Sequence, residues 1–90
     1  MKAIVTVVGK DRIGIIASVC SLLAHYQVNI LDISQTVLRE YFSMIMLVDM
    51  SDVTSVGFRE FSDALKQEGE AHNVDIRVMH EDIFNSMHRI

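Results

Sequence analysis

The residues best suited to binding a ligand lie in one short loop, residues 9–14, with the sequence Gly-Lys-Asp-Arg-Ile-Gly. Its two glycines, Gly9 and Gly14, permit unusual backbone angles and the close approach of another molecule. A helical pattern follows the loop, and the first turn of a helix has unpaired N–H groups and a partial positive charge. Together with Arg12 or Lys10, these groups would attract a carboxylate or phosphate. The loop therefore predicts an anion site.

A purely structural interpretation of this loop is equally open. Asp11 can cap the helix that follows it. The two glycines can serve only to turn the chain.

Other reactive side chains show no pattern typical of a metal site or a catalytic site. The histidines lack tight metal-ligand spacing, which favours solvated surface positions; they are His25, His72, His80 and His88. Asp32 and Asp49 cannot be paired without geometry, and no Ser/His/Asp or Cys/His motif is present. Cys20 lies among apolar residues at helical spacing, which indicates packing. We expect no metal, no cofactor and no catalysis.

Composition narrows the class of protein further. The 90 residues predict one domain over residues 1–90, and the net charge of −4, from 8 Lys and Arg against 12 Asp and Glu, gives no basic surface for nucleic acid. No segment approaches the roughly 20 apolar residues that span a bilayer. One cysteine excludes an internal disulfide and favours a reduced compartment. We expect a cytoplasmic protein with no contact to membranes.

The elements that position the loop follow from hydrophobic periodicity. The predicted order is a buried strand over residues 3–8, a helix over 14–26, a hairpin of strands over 29–38 and 41–50, a helix over 56–72 ending near Asn73, and an edge strand over 74–79. A short amphipathic segment with Ile83, Phe84, Met87 and Ile90 closes the chain. This order predicts an α+β, ferredoxin-like βαββαβ fold, a four-stranded antiparallel sheet with two helices on one face and a short C-terminal helical segment.

The strand over residues 41–50 is apolar on both of its faces. On one face are Phe42, Met44, Met46, Val48 and Met50, which alternate with Ile45 and Leu47 on the other. Because two helices cover one sheet face only, something must cover the other: the C-terminal segment, a second copy of the chain or a partner protein. We favour self-association. The alternative is that the C-terminal segment covers the methionines and no oligomer forms.

Two short motifs carry a resemblance to a known family. The run G-K-D-R-I-G-I-I-A over residues 9–17 follows a valine-rich strand, and V-N-I-L-D-I over residues 28–33 opens the second strand. In this order, over nearly the whole chain, they resemble the ACT domain family, and within it the small stand-alone proteins similar to the glycine-cleavage-system repressor group. The resemblance implies a homodimer with a ligand site between the first loop of one subunit and the second strand of its neighbour.

Carried over by position, that site has a loop side and a strand side. Gly9, Asp11, Arg12, Ile13 and Gly14 would line the loop side, and Asn29 and Ile30 the strand side. Loop N–H groups suit the carboxylate of an amino acid, whereas the carboxylate of Asp11 and the amide oxygen of Asn29 suit its ammonium group. Asn29 can also be a simple turn residue leading into the strand.

We therefore predict a non-catalytic module that binds a small molecule, in the first place an amino acid. It would act as a homodimer in the regulation of amino-acid metabolism, through a possible protein partner rather than through DNA or RNA. Two alternatives stay open. One is an interaction or assembly module with no ligand. The other is a small acylphosphatase-like phosphate hydrolase that uses Arg12 and Asn29.

Overall fold

The structure, a computed structural model, describes residues 1–10 and 14–87. Its elements, in chain order, are β1 (Lys2–Gly9), α1 (Ile15–His25), β2 (Asn29–Leu38), β3 (Tyr41–Asp49), α2 (Phe58–Ala71), β4 (Asp75–His80) and α3 (Glu81–Met87). The predicted order is confirmed, and for the four strands and two long helices the predicted ends differ from the observed ones by no more than two residues. Ile90 of the predicted C-terminal segment and His88 lie outside the described residues. The ferredoxin-like arrangement is the fold of this protein.

The four strands form one antiparallel sheet in the order β2-β3-β1-β4. β1 lies between β3 and β4, with Val5 opposite Met46 on one side and Val78 on the other. The predictions that β1 is central and β4 is an edge strand are confirmed. β2 forms the other edge and pairs along its whole length with β3 alone.

One hydrophobic core lies between the sheet and the helices α1 and α2. It combines alternate residues of three strands with one stripe of each helix, which places both helices on the same sheet face. Its largest fully buried side chains are Ile15, Leu23, Met44, Met46, Phe61 and Leu65. The methionines of β3 thus pack into this core, so the suggestion that the C-terminal segment covers them is wrong.

The other sheet face is only partly covered. Ile4 of β1 is nearly buried there although it lies outside the main core, and α3 contacts both β1 and β4. Farther along β1, Val8 is half exposed, and Ile45 of β3 is 43% exposed. The prediction that β1 is buried on both faces therefore holds near its start and fails near its end.

Both long helices end at a residue with left-handed backbone geometry. Gln27 after α1 has a φ of 61°, and Asn73 after α2 has a φ of 57°. The next N–H then donates to a carbonyl inside the helix, from Val28 to Leu23 at 2.9 Å and from Val74 to Gly69 at 2.9 Å. These are Schellman closures, which satisfy carbonyls that the helix leaves free. The predicted helix stop near Asn73 is confirmed.

Candidate functional site

The loop side of the predicted site joins β1 to α1. Asp11, Arg12 and Ile13 lie outside the described residues, whereas Gly9 and Gly14 frame the loop. Gly14 has a φ of 84°, a region that favours glycine, and open space lies where a Cβ would be. Its carbonyl accepts the N–H of Ser18 at 2.8 Å, which makes Gly14 the first carbonyl of the helical ladder. Among the described residues, no side chain forms a cap at the start of α1, and the first N–H groups of a helix suit an anion.

Position 9 requires a glycine because Val74 packs closely against it. A Cβ at this position would lie 2.3 Å from Cγ1 and 2.9 Å from Cβ of Val74, the residue just before β4. The close approach that the sequence predicted at Gly9 is therefore to Val74 of the same chain. Gly9 still belongs to the loop side, because it is the last residue of β1.

Lys10, the next residue, places its side chain over the ring of Tyr41. Its Nζ lies 5.3 Å from the centre of the Tyr41 ring, a cation–π contact. Beside it, Val8, Leu38 and Tyr41 help to line a shallow apolar cleft of about 220 Å³ on the sheet face away from the helices.

The strand side of the site begins with Asn29, the first residue of β2. Its Nδ2 donates a hydrogen bond to Oδ2 of Asp52 at 3.2 Å, and both side chains are exposed. This contact points the amide nitrogen toward Asp52 and leaves Oδ1 of Asn29 free to accept. Ile30 is opposite Val48, and a register shift follows it before Asp32. The irregularity leaves Leu31 without a partner in β3, and an extra residue of this kind bends a strand locally.

Asp52, the hydrogen-bond partner of Asn29, is a residue that sequence reasoning did not single out. It belongs to a turn that is fixed by hydrogen bonds from both sides: Val53 N–H donates to the Met50 carbonyl at 3.1 Å, and Asp49 Oδ1 accepts the N–H and the hydroxyl of Ser51. These two bonds from Ser51, the hydroxyl first, hold the pKa of Asp49 below its ordinary value of 3.8. The only signal in the sequence was that Asp52 follows the strand that pairs with Asn29.

The loop side and the strand side lie at opposite ends of the sheet in one chain. Asn29 shares a row with Asp49 and Lys2, whereas Gly9 shares a row with Phe42. Lys2 and Gly9 are seven positions apart in β1, which corresponds to about 23 Å along the strand. A short loop tethered at Gly9 and Gly14 cannot cross that distance. Within one chain, Asn29 therefore lies far from Gly9, the described residue at which the loop begins.

A second polar cluster joins the two long helices. The Ser18 hydroxyl donates to Oε1 of Glu68, and Nε2 of His72 lies 3.2 Å from the same oxygen. The hydrogen bond from Ser18, and to a smaller degree His72, lowers the pKa of Glu68 against the raising effect of burial. Ser18 and Glu68, together with His25, line an open cleft of about 390 Å³.

Neither a cluster of metal-ligating side chains nor a helix that could cross a membrane is found in the part of the chain that the structure describes. Across residues 1–10 and 14–87, no three side chains of His, Cys, Asp or Glu are placed to hold a metal ion. Within the same residues, no helix is long and apolar enough to cross a bilayer. Cys20 is a free thiol. It is half-buried, whereas the sequence predicted that it packs in the core.

An antiparallel sheet of order β2-β3-β1-β4 under two helices defines a ferredoxin-like α+β domain, and the glycine-framed loop between β1 and α1 marks its candidate ligand site. The ACT domain family model matches residues 2–79. The chain belongs to the ACT domain family, a family of regulatory, ligand-binding domains, and the resemblance seen in its sequence is confirmed.

Relatives and solved structures agree with this assignment. A UPF0237 protein of Clostridium acetobutylicum is 52% identical over the full length of both chains. An ACT domain protein from Streptococcus pneumoniae superimposes with a TM-score of 0.80 at 45% identity and covers 93% of each chain. A putative glycine cleavage system transcriptional repressor shares the fold, with a TM-score of 0.72 at 23% identity over 86% of this chain and 43% of its own.

Proposed function

We propose that this protein is a non-catalytic regulatory module that binds an amino acid between two copies of the chain. The observation that carries the proposal is the separation of about 23 Å between the loop side and the strand side within one chain. The loop side would bind the carboxylate of an amino acid and the strand side would bind its ammonium group. One ligand can contact both sides only if they come from two different copies. A homodimer is thus part of the binding site itself.

The exposed edge of β2 supports such a dimer. All ten residues of β2 are exposed, and they include five large apolar side chains: Ile30, Leu31, Ile33, Val37 and Leu38. The backbone N–H and C=O groups along the outer side of β2 pair with no strand in the described residues. A long apolar edge without Lys or Arg is a template for another strand, and a second copy supplies an identical one.

Antiparallel pairing of β2 with its copy brings the two sides of the site together. In such a pair the start of one strand lies beside the end of the other. The end of β2, at Leu38, lies at the same end of the sheet as Gly9. Val37 of β2 and Gly9 of β1 both pair with Phe42, which lies between them in β3. Asn29 of the second copy therefore approaches the loop that follows Gly9.

A register centred on Gln35 fits the side chains best. If the sheet continues through both copies with all helices on one side, directly opposite residues must share a face. Centring on Gln35 pairs Ile33 of each copy with Val37 of the other on the helix side. It also places the two Gln35 amides opposite each other, where they can hydrogen-bond.

The ligand would bind in an orientation set by charge. Its carboxylate would face the first N–H groups of α1, next to Gly14. Its ammonium group would face Oδ1 of Asn29 from the second copy. Binding would stabilise one arrangement of the two subunits, and a protein partner in amino-acid metabolism would sense that change.

A thermal-shift screen against the twenty amino acids tests ligand binding. We expect a concentration-dependent rise in Tm with one amino acid or a few, which Asn29→Ala and Asp11→Ala each abolish. Asp63→Asn, on the exposed surface of α2, serves as the control. No shift with any amino acid at millimolar concentration would favour an assembly module without a ligand.

Disulfide trapping tests the dimer. In a Cys20→Ala background, Gln35→Cys should cross-link two copies on mild oxidation, because opposite strand residues lie within disulfide reach. Val37→Cys, on the same face and similarly exposed, should not cross-link to itself, since four residues of offset separate its two copies. Equal trapping at both positions, or a monomer by light scattering, would refute the pairing.

A further inference from the structure

Asp52 has acceptor capacity that the fold does not use. One oxygen accepts Nδ2 of Asn29 at 3.2 Å, whereas a carboxylate offers about four acceptor positions. Within residues 1–10 and 14–87, no Lys, Arg or His forms an ion pair with Asp52. Among the described residues, the carboxylate of Asp52 thus has no cationic partner, and it lies beside the amide oxygen of Asn29.

The position of Asp52 is set independently of any ligand. Met50, almost fully buried, anchors the turn, and its N–H donates to the Met1 carbonyl at 2.8 Å. The Asp49–Ser51 bonds and the Val53–Met50 bond close the turn around Asp52. A side chain on so constrained a turn is preorganised, which reduces the entropy lost when it binds another group.

We infer that Asp52 is a ligand-binding residue that, with Oδ1 of Asn29, receives a primary ammonium group. This inference rests on the proposed function, since only a second copy brings these acceptors to the start of α1. The site then has two poles, with backbone donors from one copy and a carboxylate with an amide oxygen from the other. Such a site selects 2-amino acids over 2-hydroxy acids of the same shape, because a hydroxyl group carries no positive charge.

A merely structural role for Asp52 makes different predictions. If Asp52 only orients Asn29, then Asp52→Asn should bind like wild type, because the new amide oxygen still accepts Nδ2 of Asn29. Asp52→Ala would remove the orienting contact together with the charge. The isosteric variant thus separates the two roles.

The test uses matched pairs of probes on the full chain. L-leucine is compared with L-2-hydroxyisocaproate, L-serine with L-glycerate and L-phenylalanine with L-phenyllactate, together with any other amino acid that shifts the wild type and its hydroxy acid. We expect wild type to prefer an amino acid over its hydroxy acid, and Asp52→Asn to lose about tenfold or more in amino-acid affinity. The hydroxy acid should lose little, so the preference collapses. Asp63→Asn is the charge-matched control.

The outcomes are distinguishable. If wild type binds none of the amino acids, the proposed function itself fails. If wild type binds and Asp52→Asn keeps both affinity and preference, the function stands and the role of Asp52 is refuted. Because Asp52 is exposed in one chain, Asp52→Asn should leave the Tm without ligand nearly unchanged, which shows that the variant is folded.

Discussion

Replacing Gly9 with alanine should destabilise the protein by about 2 kcal/mol, because Val74 occupies the space that the new Cβ needs. The contacts would be 2.3 Å to Cγ1 and 2.9 Å to Cβ, and Val74 is a stiff, β-branched side chain that cannot simply rotate away. Overpacking of this kind costs roughly 1 to 3 kcal/mol, and contacts this short belong at the upper end of that range. The lower entropy of the unfolded alanine chain offsets about 0.7 kcal/mol. For a domain of this size, the loss corresponds to roughly 8 to 16 °C in Tm.

The assay is urea unfolding at one protein concentration, with Val74→Ala as a second-site partner and Gly14→Ala as the control. Val74→Ala removes the closest contact and should relieve most of the cost of Gly9→Ala. Gly14→Ala costs about 1 to 2 kcal/mol for a different reason, its φ of 84°, and Val74→Ala should not relieve it. Additive effects of Gly9→Ala and Val74→Ala would refute the argument that these residues are in steric contact.

Three further predictions concern the core and the helix layer. Gly69→Ala should also destabilise by about 1 to 3 kcal/mol in urea unfolding, since its Cβ would lie 2.8 Å from the Val74 carbonyl oxygen; unchanged stability would contradict this packing. Met46→Ala should cost about 2 to 5 kcal/mol of unfolding free energy, because Met46 faces the core. Ile45→Ala should cost much less, because Ile45 faces the open sheet face. Equal losses of stability would refute that assignment. The pKa of Glu68 is lowered in the folded state, so its stabilising effect exists above its ordinary value of 4.5 and disappears as the pH falls through the folded pKa. Glu68→Gln should therefore be less stable than wild type at pH 7, a gap that closes toward pH 3 in urea titrations, whereas a constant gap would contradict it.

The elements could be predicted because their signals are local. Residues 3–8 are β-branched, the two helices repeat their apolar residues every three to four positions, and Asn73 supplies the left-handed residue that ends α2. The exposure of β2 could not be predicted. Its apolar residues indicate burial, but α1 and α2 pack over the other strands and leave this edge bare.

The candidate site was predicted in part for a related reason. The loop from Gly9 to Gly14 and the residue Asn29 were found by residue type and by resemblance. The contact of Asn29 with Asp52 joins residues 23 positions apart and depends on the turn after β3. The packing of Gly9 against Val74 likewise arises only when β1 and β4 pair.

The central place of β1 also bears on how the chain folds. β1 is synthesised before the other three strands of this sheet, yet one of its two neighbours, β4, is synthesised after them, with Ala3 opposite His80. The chain must lose the entropy of closing this long loop before the contacts between β1 and β4 stabilise it. Such non-local contacts slow folding. The hairpin of β2 and β3 needs only a two-residue connection and forms early by comparison. A nascent chain therefore keeps one side of β1 unsatisfied until residues near its C-terminus arrive, and truncation before β4 would leave that strand as an aggregation-prone edge.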